Sequence, residues 1–345
     1  MSGIFTQRRI VGAMLIAFAI LLPFMVGVRW QQVFLLTAIF SLLALGLNVV
    51  VGLAGLLDLG YVAFFAGGAY AAGILLDASP INVPDDIPVW VVLLIAMVFT
   101  MILGVILGAP VLRLRGDYLA IVTLGFGEIV RIVANNLDGV TRGARGLNGI
   151  RGPVLFGVDF KVDPRPYYLL TLAIILIAMF VLQRIEHSRI GRSWIAIRED
   201  EVAAEAMGVH LLRAKLLAFA IGAGTASYAG VIFATNNHYV SPRTFTVFVS
   251  ILILCQVVLG GLGSMLGAVV GSVVIWGLPE LLRGVDLPGD ADINDYRFLI
   301  FGALLVVMMI FRPQGLIPSK RRSAELAQRR EEAAQSGVPM QGGES

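Results

Sequence analysis

A carboxylate and a guanidinium stand one helical turn apart inside an otherwise apolar stretch of this sequence. Glu128 and Arg131 belong to the string TLGFGEIVRIVANN, which begins at residue 123. Residues three positions apart share one helix face, so these two side chains can neutralise each other. Charges within membrane helices usually face a bundle interior or a water-filled cavity. The pair therefore indicates either a polar patch on the path of a zwitterion or an ion pair that fixes helix packing, and the residues leave both open.

Two glycines, Gly125 and Gly127, come directly before this pair. Glycine weakens a helix interior, so the sequence indicates a weakened or interrupted helix at this point. A new helix start there could aim free backbone N–H groups at a bound carboxylate. We therefore count both glycines among the candidate residues of a translocation path.

The composition identifies the environment of these residues. Of the 345 residues, 58% are hydrophobic and 14% are charged, whereas a soluble domain carries about 25% charged residues. Apolar runs near the ~20 residues that a membrane-crossing helix needs recur along the chain. We predict an all-α polytopic membrane protein with about ten transmembrane helices, some of them broken or re-entrant. The predicted spans are 10–28, 33–51, 58–76, 89–111, 117–135, 167–184, 215–235, 245–262, 264–282 and 296–312.

Orientation follows from the basic residues, because Lys and Arg concentrate in cytoplasmic loops. They precede the first span, crowd the 186–214 loop and open the C-terminal tail, whereas the 77–88 loop has none. Both termini are therefore expected in the cytoplasm, and residues 1–32 are expected to form a short tail and an uncleaved first helix. The 136–166 loop disagrees, since it carries five basic residues although this topology places it outside. It is either a functional loop or a sign that the count is off by one crossing.

Two glycine-rich strings resemble each other. VVVGLAGLLDLG covers residues 49–60 and VVLGGLGSMLG covers residues 257–267. Small residues allow close helix packing, which is the simpler explanation for any single glycine, but the first string also indicates an interrupted helix. Transporters are often built from internal repeats with discontinuous helices, so we expect an internal repeat here. The candidate path residues of the first string are Gly52, Gly55, Gly60 and Asp58.

Three stretches resemble the permease family of branched-chain amino-acid ABC importers, and within it the M-type subunit. They are GLNVVVGLAGLLDLGYVAFFAGGAYAAG (46–73), LRLRGDYLAIVTLGFGEIVRIVANN (112–136) and GRSWIAIREDEVAAEAMGV (191–209). The resemblance runs over about residues 33–318, the expected permease core. It implies a subunit of the bacterial inner membrane. The implied partners are a related H-type permease, two ATPase subunits and a periplasmic substrate-binding protein, with no nucleic acid.

The 186–214 loop contains REDEVAAEAMG, a pattern typical of a short amphipathic helix. Val202 and Met207 share its apolar face, and Gly208 fits the position after a helix end that favours a left-handed residue. The resemblance implies a coupling helix that docks into a cleft of the ATPase, since EAMG is similar to the E-A-A motif of import permeases. The alternative is an ordinary solvated loop. The candidate coupling residues are Glu201, Glu205, Ala206 and Gly208.

We expect a transport subunit and no enzyme. A P-loop requires Gly-Lys-Ser/Thr, and the lysines of this chain follow Phe160, Ala214 and Ser319, so ATP hydrolysis must come from partner subunits. The single cysteine and the three scattered histidines suggest neither a disulfide nor a metal site, and no cofactor is expected. The leading hypothesis is an importer of branched-chain amino acids. A permease for urea or short amides and, less favoured, a stand-alone secondary transporter are the alternatives. Residues 319–345 are expected to form a polar cytoplasmic tail that begins with lipid-contacting basic residues.

Overall fold

The computed structural model describes residues 14, 16–76, 80, 87–114, 116–155, 158–160, 164–282, 302, 303, 306, 310, 312 and 315–318. The described chain is mostly helical. Its helices are α1 (Ile16–Met25), α2 (Val28–Leu47), α3 (Val62–Leu75), α4 (Val89–Val111), α5 (Asp117–Asn136), α6 (Asp138–Thr141), α7 (Pro164–Glu186), α8 (Arg189–Glu199), α9 (Glu201–Ala206), α10 (Leu211–Asn237), α11 (Val247–Gly260) and α12 (Met265–Leu282). The described chain also has four two-residue strands, namely β1 (Leu147–Asn148), β2 (Val154–Leu155), β3 (Val158–Asp159) and β4 (Tyr239–Val240).

Four of the described helices are long and apolar enough to cross a membrane. They are α2 with its continuation to Leu53, α4, α7 and α10, while α1, α3, α11 and α12 are shorter apolar helices. The helical membrane architecture is therefore confirmed, and the number of about ten crossings stays a prediction. The predicted span 296–312 lies largely outside the described residues, as does the 77–88 loop, and the tail 319–345 lies wholly outside them.

The core of the bundle is formed by α2, α3 and α10. The second half of α2 is buried throughout, and α10 packs against α2, α3 and α4. Small residues make this possible: a Cβ atom at Gly68 would collide with the Ser227 carbonyl, and one at Gly230 with the Phe65 carbonyl. The close approach of α3 and α10 therefore depends on glycine, as is common between membrane helices.

The chain leaves the helical conformation between α2 and α3. After Leu47 the helix widens into a π-helical turn, Asn48–Leu53, and residues 54–61 connect it to α3. Gly55 in this connection has φ +71°, a left-handed conformation that suits glycine. The interruption predicted for residues 49–60 is thus confirmed. We call residues 54–61 the first break.

A second break, residues 261–264, separates α11 from α12. Gly261 and Gly263 both have positive φ there. The backbone N–H of Gly263 donates to the Oδ1 atom of Asn48 in the π-helical turn at 2.8 Å. The two similar glycine strings therefore both interrupt helices, and a buried hydrogen bond joins the second break to the π-helical turn that precedes the first. The internal repeat itself remains a prediction.

The 136–166 loop is partly ordered by strand pairing. β1 pairs antiparallel with β4, with Leu147 opposite Val240, and β2 pairs with β3. The first pair ties this loop to the connection between α10 and α11. The basic loop therefore belongs to the same end of the bundle as residues 238–246.

Just before α3, the backbone at Gly60 lies against the backbone of α5. This close approach leads to a prediction for a pair of glycine substitutions. A Cβ atom at Gly60 would overlap the Thr123 carbonyl oxygen, whereas one at Gly125 meets none of the described atoms within 4 Å. We expect Gly60→Ala to lower stability by about 1–3 kcal/mol through overpacking. Gly125→Ala should leave it unchanged or raise it by about 0.5–1 kcal/mol, because alanine favours a helix interior.

The measurement is the thermal unfolding midpoint of the purified, detergent-solubilised protein, followed by tryptophan fluorescence. Equal midpoints for the two variants would contradict the close approach of Gly60 to α5.

Candidate functional site

Helix α5 carries the charged pair and is continuous through it. The helix begins at Asp117, after Gly116 with φ +59°, and ends at Asn136. The new helix start predicted near Gly125 and Gly127 was therefore wrong. Gly127 packs against Gly60 in the first break, and such tertiary packing overrides the low helix propensity of glycine.

The predicted contact between Glu128 and Arg131 is confirmed. The Nε atom of Arg131 donates to both carboxylate oxygens at 2.9 Å, and its Nη2 atom also contacts Oε1. Glu128 and Arg131 are 36% and 31% exposed, respectively, so this chain leaves the pair partly uncovered. The three-residue spacing predicted that the two side chains share one face, but it could not say whether this chain covers that face.

The surroundings of the pair are apolar. Ile129, Ile132 and Val133 on the same helix are about half exposed. In the span predicted for residues 117–135, two charges in an exposed apolar surface would be costly to leave against lipid tails. This surface of α5 is therefore suited to contact with another protein chain or with a polar path.

Asp58 is turned into the protein. Its side chain is 1% exposed, and its Oδ1 atom accepts the backbone N–H of Gly60 at 2.9 Å. The next residue, Leu59, donates its N–H to the Thr123 hydroxyl at 3.0 Å. Asp58 thus holds the first break in shape, and Leu59 joins the break to α5. Gly127, directly before Glu128, packs against Gly60 beside this contact.

A residue that was not predicted connects the membrane part to the loop after α7. The Nη1 atom of Arg198, in the last turn of α8, donates to the carbonyl of Gly52. Arg198 also lies directly over Gly55, where a Cβ atom would come within 2.8 Å of its Cγ. The contact joins positions 146 residues apart, so no local sequence pattern could identify it.

The short helix predicted in this loop is present as α9. Asp200 caps its start by accepting the N–H groups of Val202 and Ala203 at 2.8 and 3.0 Å. The helix ends two residues before Gly208, which has φ +87° and donates its N–H to the Glu205 carbonyl at 2.9 Å. Helix α9 and its terminating glycine are therefore confirmed. Caps at both ends give the helix a defined shape.

The two faces of α9 differ. Ala204 is buried on one face of the helix, whereas Val202 and Met207 are 65% and 85% exposed. Glu205 and Ala206 are exposed as well. The predicted apolar face therefore points away from the bundle, together with Glu205.

The underside of α9 is attached to α10. Glu201 forms an ion pair with Lys215, which is only 4% exposed. Close by, the indole Nε1 of the buried Trp194 donates to the Ala214 carbonyl at 2.8 Å. Glu201 therefore anchors α9, and it differs in this from Glu205. Among the residues that the structure describes, no three His, Cys, Asp or Glu side chains lie close enough to hold a metal ion.

Comparison with known proteins adds to this geometry. A family model described as the permease component of branched-chain amino-acid transport systems matches residues 30–309. The chain is 40% identical to the high-affinity branched-chain amino acid transport system permease protein LivM of Escherichia coli K12, over 94% of this chain and 78% of the relative. A probable LivM permease of Methanocaldococcus jannaschii is 27% identical, over 79% of this chain and 84% of the relative.

A second type of permease is also related. The high-affinity branched-chain amino acid transport system permease protein LivH of Salmonella typhimurium is 24% identical, over 83% of this chain and 94% of the relative. No solved structure matches the chain significantly.

The contact between Glu128 and Arg131 predicts a non-additive pair of substitutions. Glu128→Gln or Arg131→Gln alone leaves one charge without its partner, which costs about 2.5–3.5 kcal/mol for a charge at the centre of a membrane helix. Each single variant should lower the yield of folded protein extracted from membranes, and the double variant should recover it. Arg189→Gln, which removes an exposed charge from α8, is the control and should have no effect. Additive losses in the double variant would show that the two charges do not compensate each other.

Proposed function

The chain belongs to the family of permease components of branched-chain amino-acid transport systems, and on this premise we propose that it forms half of the membrane path of an ATP-driven importer of branched-chain amino acids. The other half is a second, related permease, since LivH-named proteins share the family. The proposed permease core is residues 33–318, in the bacterial inner membrane with both termini in the cytoplasm. Two ATPase subunits and a periplasmic substrate-binding protein complete the proposed importer.

The observation that carries this proposal is the outward-facing surface of α9. A permease without a P-loop must receive the energy of ATP hydrolysis from another protein. Val202 and Met207 present exposed apolar side chains on a helix that is capped at both ends and attached to α10. A preorganised helix loses little conformational entropy on binding. We therefore propose that α9 docks on the ATPase.

The four coupling candidates then have different roles. Glu205 and Ala206 lie on the exposed face, where they contact the ATPase in our proposal. Gly208 ends the helix with a left-handed residue. Glu201 pairs with Lys215 and holds α9 to α10. Coupling through this helix therefore combines a docking face with a rigid attachment.

We further propose that the exposed face of α5 borders the translocation path and is covered there by the second permease. The partly exposed ion pair supports this, because a protein or a hydrated path accommodates charges that lipid does not. Gly125 and Gly127 belong to the same helix. Asp58, Gly52, Gly55 and Gly60 shape the breaks beside it. In the described conformation Asp58 is enclosed, so its contact with a substrate requires the first break to open.

The outer end offers a surface for the substrate-binding protein. The two 3₁₀ turns at Gly143–Arg145 and Pro242–Thr244 contact each other. Arg142, Arg145 and Arg243 are all exposed in this region. A positive surface favours docking of an acidic partner surface. A docking role would explain why a basic loop lies on the side that the orientation rule leaves poor in Lys and Arg.

Transport by the assembled importer tests the proposed function. Proteoliposomes with ATP and Mg²⁺ on the ATPase side should take up radiolabelled leucine when the binding protein is present on the opposite side. Unlabelled isoleucine and valine should compete, and urea should not. Uptake of urea with no uptake of leucine would favour the amide alternative, and uptake driven by an ion gradient in the absence of ATP would contradict the proposal.

Charge reversal on the docking face should uncouple the importer. Glu205→Lys places a lysine beside the apolar surface and disfavours docking by lost pairing or like-charge contact. We expect the variant to fold and insert normally while it loses co-purifying ATPase and leucine uptake. Arg189→Glu, a charge reversal at an exposed position on α8, is the matched control and should retain both. Undiminished ATPase retention and uptake in Glu205→Lys would remove the docking role of α9.

A further inference from the structure

Near the end of the π-helical turn, one backbone carbonyl accepts a hydrogen bond from a side chain outside the helix. The last carbonyl groups of a helix lack partners within that helix, and unsatisfied backbone groups are costly in a membrane. Gly52 is the penultimate residue of the π-helical turn, and its carbonyl accepts the Nη1 atom of Arg198. The guanidinium of Arg198 thus supplies a hydrogen bond to the end of the π-helical turn that follows α2.

Glycines from both breaks surround this guanidinium. A Cβ atom at Gly55 would lie 2.8 Å from the Arg198 Cγ, and one at Gly263 would lie 3.3 Å from its Nη1. Gly263 in turn donates its N–H to Asn48 at 2.8 Å. We call these five residues, Asn48, Gly52, Gly55, Arg198 and Gly263, the junction. Arg198 is the member of the junction that comes from outside the two interrupted helices.

The same helix end leads directly into α9. Asp200, two residues after Arg198, caps α9. The indole of Trp194 and the ion pair of Glu201 attach the two helices to α10 on either side of Arg198 in sequence. A displacement of α9 therefore cannot leave Arg198 in place unless the connection at residues 199–200 deforms.

From this geometry we propose that Arg198 is a positioning residue for transport, which transmits the displacement of α9 through the Gly52 carbonyl to the π-helical turn. The turn continues into the first break and is joined to the second break by the hydrogen bond between Asn48 and Gly263. The proposal rests on the proposed function, because the displacement is supplied by the docked ATPase. Arg198 touches no substrate in this scheme and does not form the docking face. Its guanidinium, planar and rich in donors, is suited to a fixed position between two backbones in a way that an ammonium group is not.

The test uses the complete importer in proteoliposomes, with Arg198→Gln, Arg198→Lys and the control Arg192→Gln. Arg192 lies on the same helix and donates to the His187 carbonyl within the loop. We measure co-purifying ATPase, the rate of ATP hydrolysis and leucine uptake per ATP hydrolysed. Arg198→Gln should retain the ATPase and hydrolyse ATP, but its uptake per ATP should fall about fivefold or more, the scale of a typical coupling between sites. Uptake per ATP should fall less in Arg198→Lys, and in Arg192→Gln it should equal the wild-type value.

Several outcomes overturn the inference. Wild-type uptake per ATP in Arg198→Gln would show that the contact transmits nothing. Loss of co-purifying ATPase in this variant would place Arg198 on the docking face instead. If Arg198→Gln does not fold, Arg198→Lys decides, and an unchanged uptake per ATP in that variant contradicts the proposal. Failure of the proposed function is distinct, since the wild type would then show no ATP-dependent uptake of leucine.

Discussion

The structure depends on a constraint that the membrane imposes: a helix that breaks inside hydrocarbon must have its freed backbone groups satisfied by other parts of the protein. Along residues 52–62, which include the first break, side chains from three different helices do this. Thr123 of α5 accepts from Leu59, Ser250 of α11 accepts from Val62 at 2.9 Å, and Arg198 of α8 donates to Gly52. Each of these three polar residues thereby links another helix to this segment, which becomes a place where several helices meet.

This constraint separates what the sequence could predict from what it could not. Local patterns predicted α9 with its glycine end, the interruption at residues 49–60 and the contact between Glu128 and Arg131, because each depends on residues within one or two helical turns. The helix through Gly125 and Gly127 was predicted to weaken, yet it is continuous because Gly127 packs against the first break. Such packing lies between segments far apart in the chain, as does the contact of Arg198, and neither has a signature in the local sequence.

The glycines show the same division at the level of single positions. Gly60 and Gly125 are both flanked by apolar residues in glycine-rich strings. A Cβ atom at Gly60 would meet the backbone of α5, whereas one at Gly125 would meet none of the described atoms within 4 Å. A glycine is required where backbone approaches backbone, and this depends on the partner element. The sequence therefore identified the segments in which close packing occurs, and the structure assigns it to particular residues.

The charged residues of α8 and α9 have different roles. Glu201 is neutralised by the buried Lys215, and Arg198 is directed at the Gly52 carbonyl, so both contribute to attachment. The exposed face of α9 is left with Val202 and Met207 as its large side chains and with Glu205 at its edge. Binding through apolar side chains depends on buried area and is weakly affected by salt, whereas ion pairs at an exposed surface are screened. An ATPase docked here would be held by shape and apolar contact, and its movement would be transmitted by charged residues that are already engaged inside the permease.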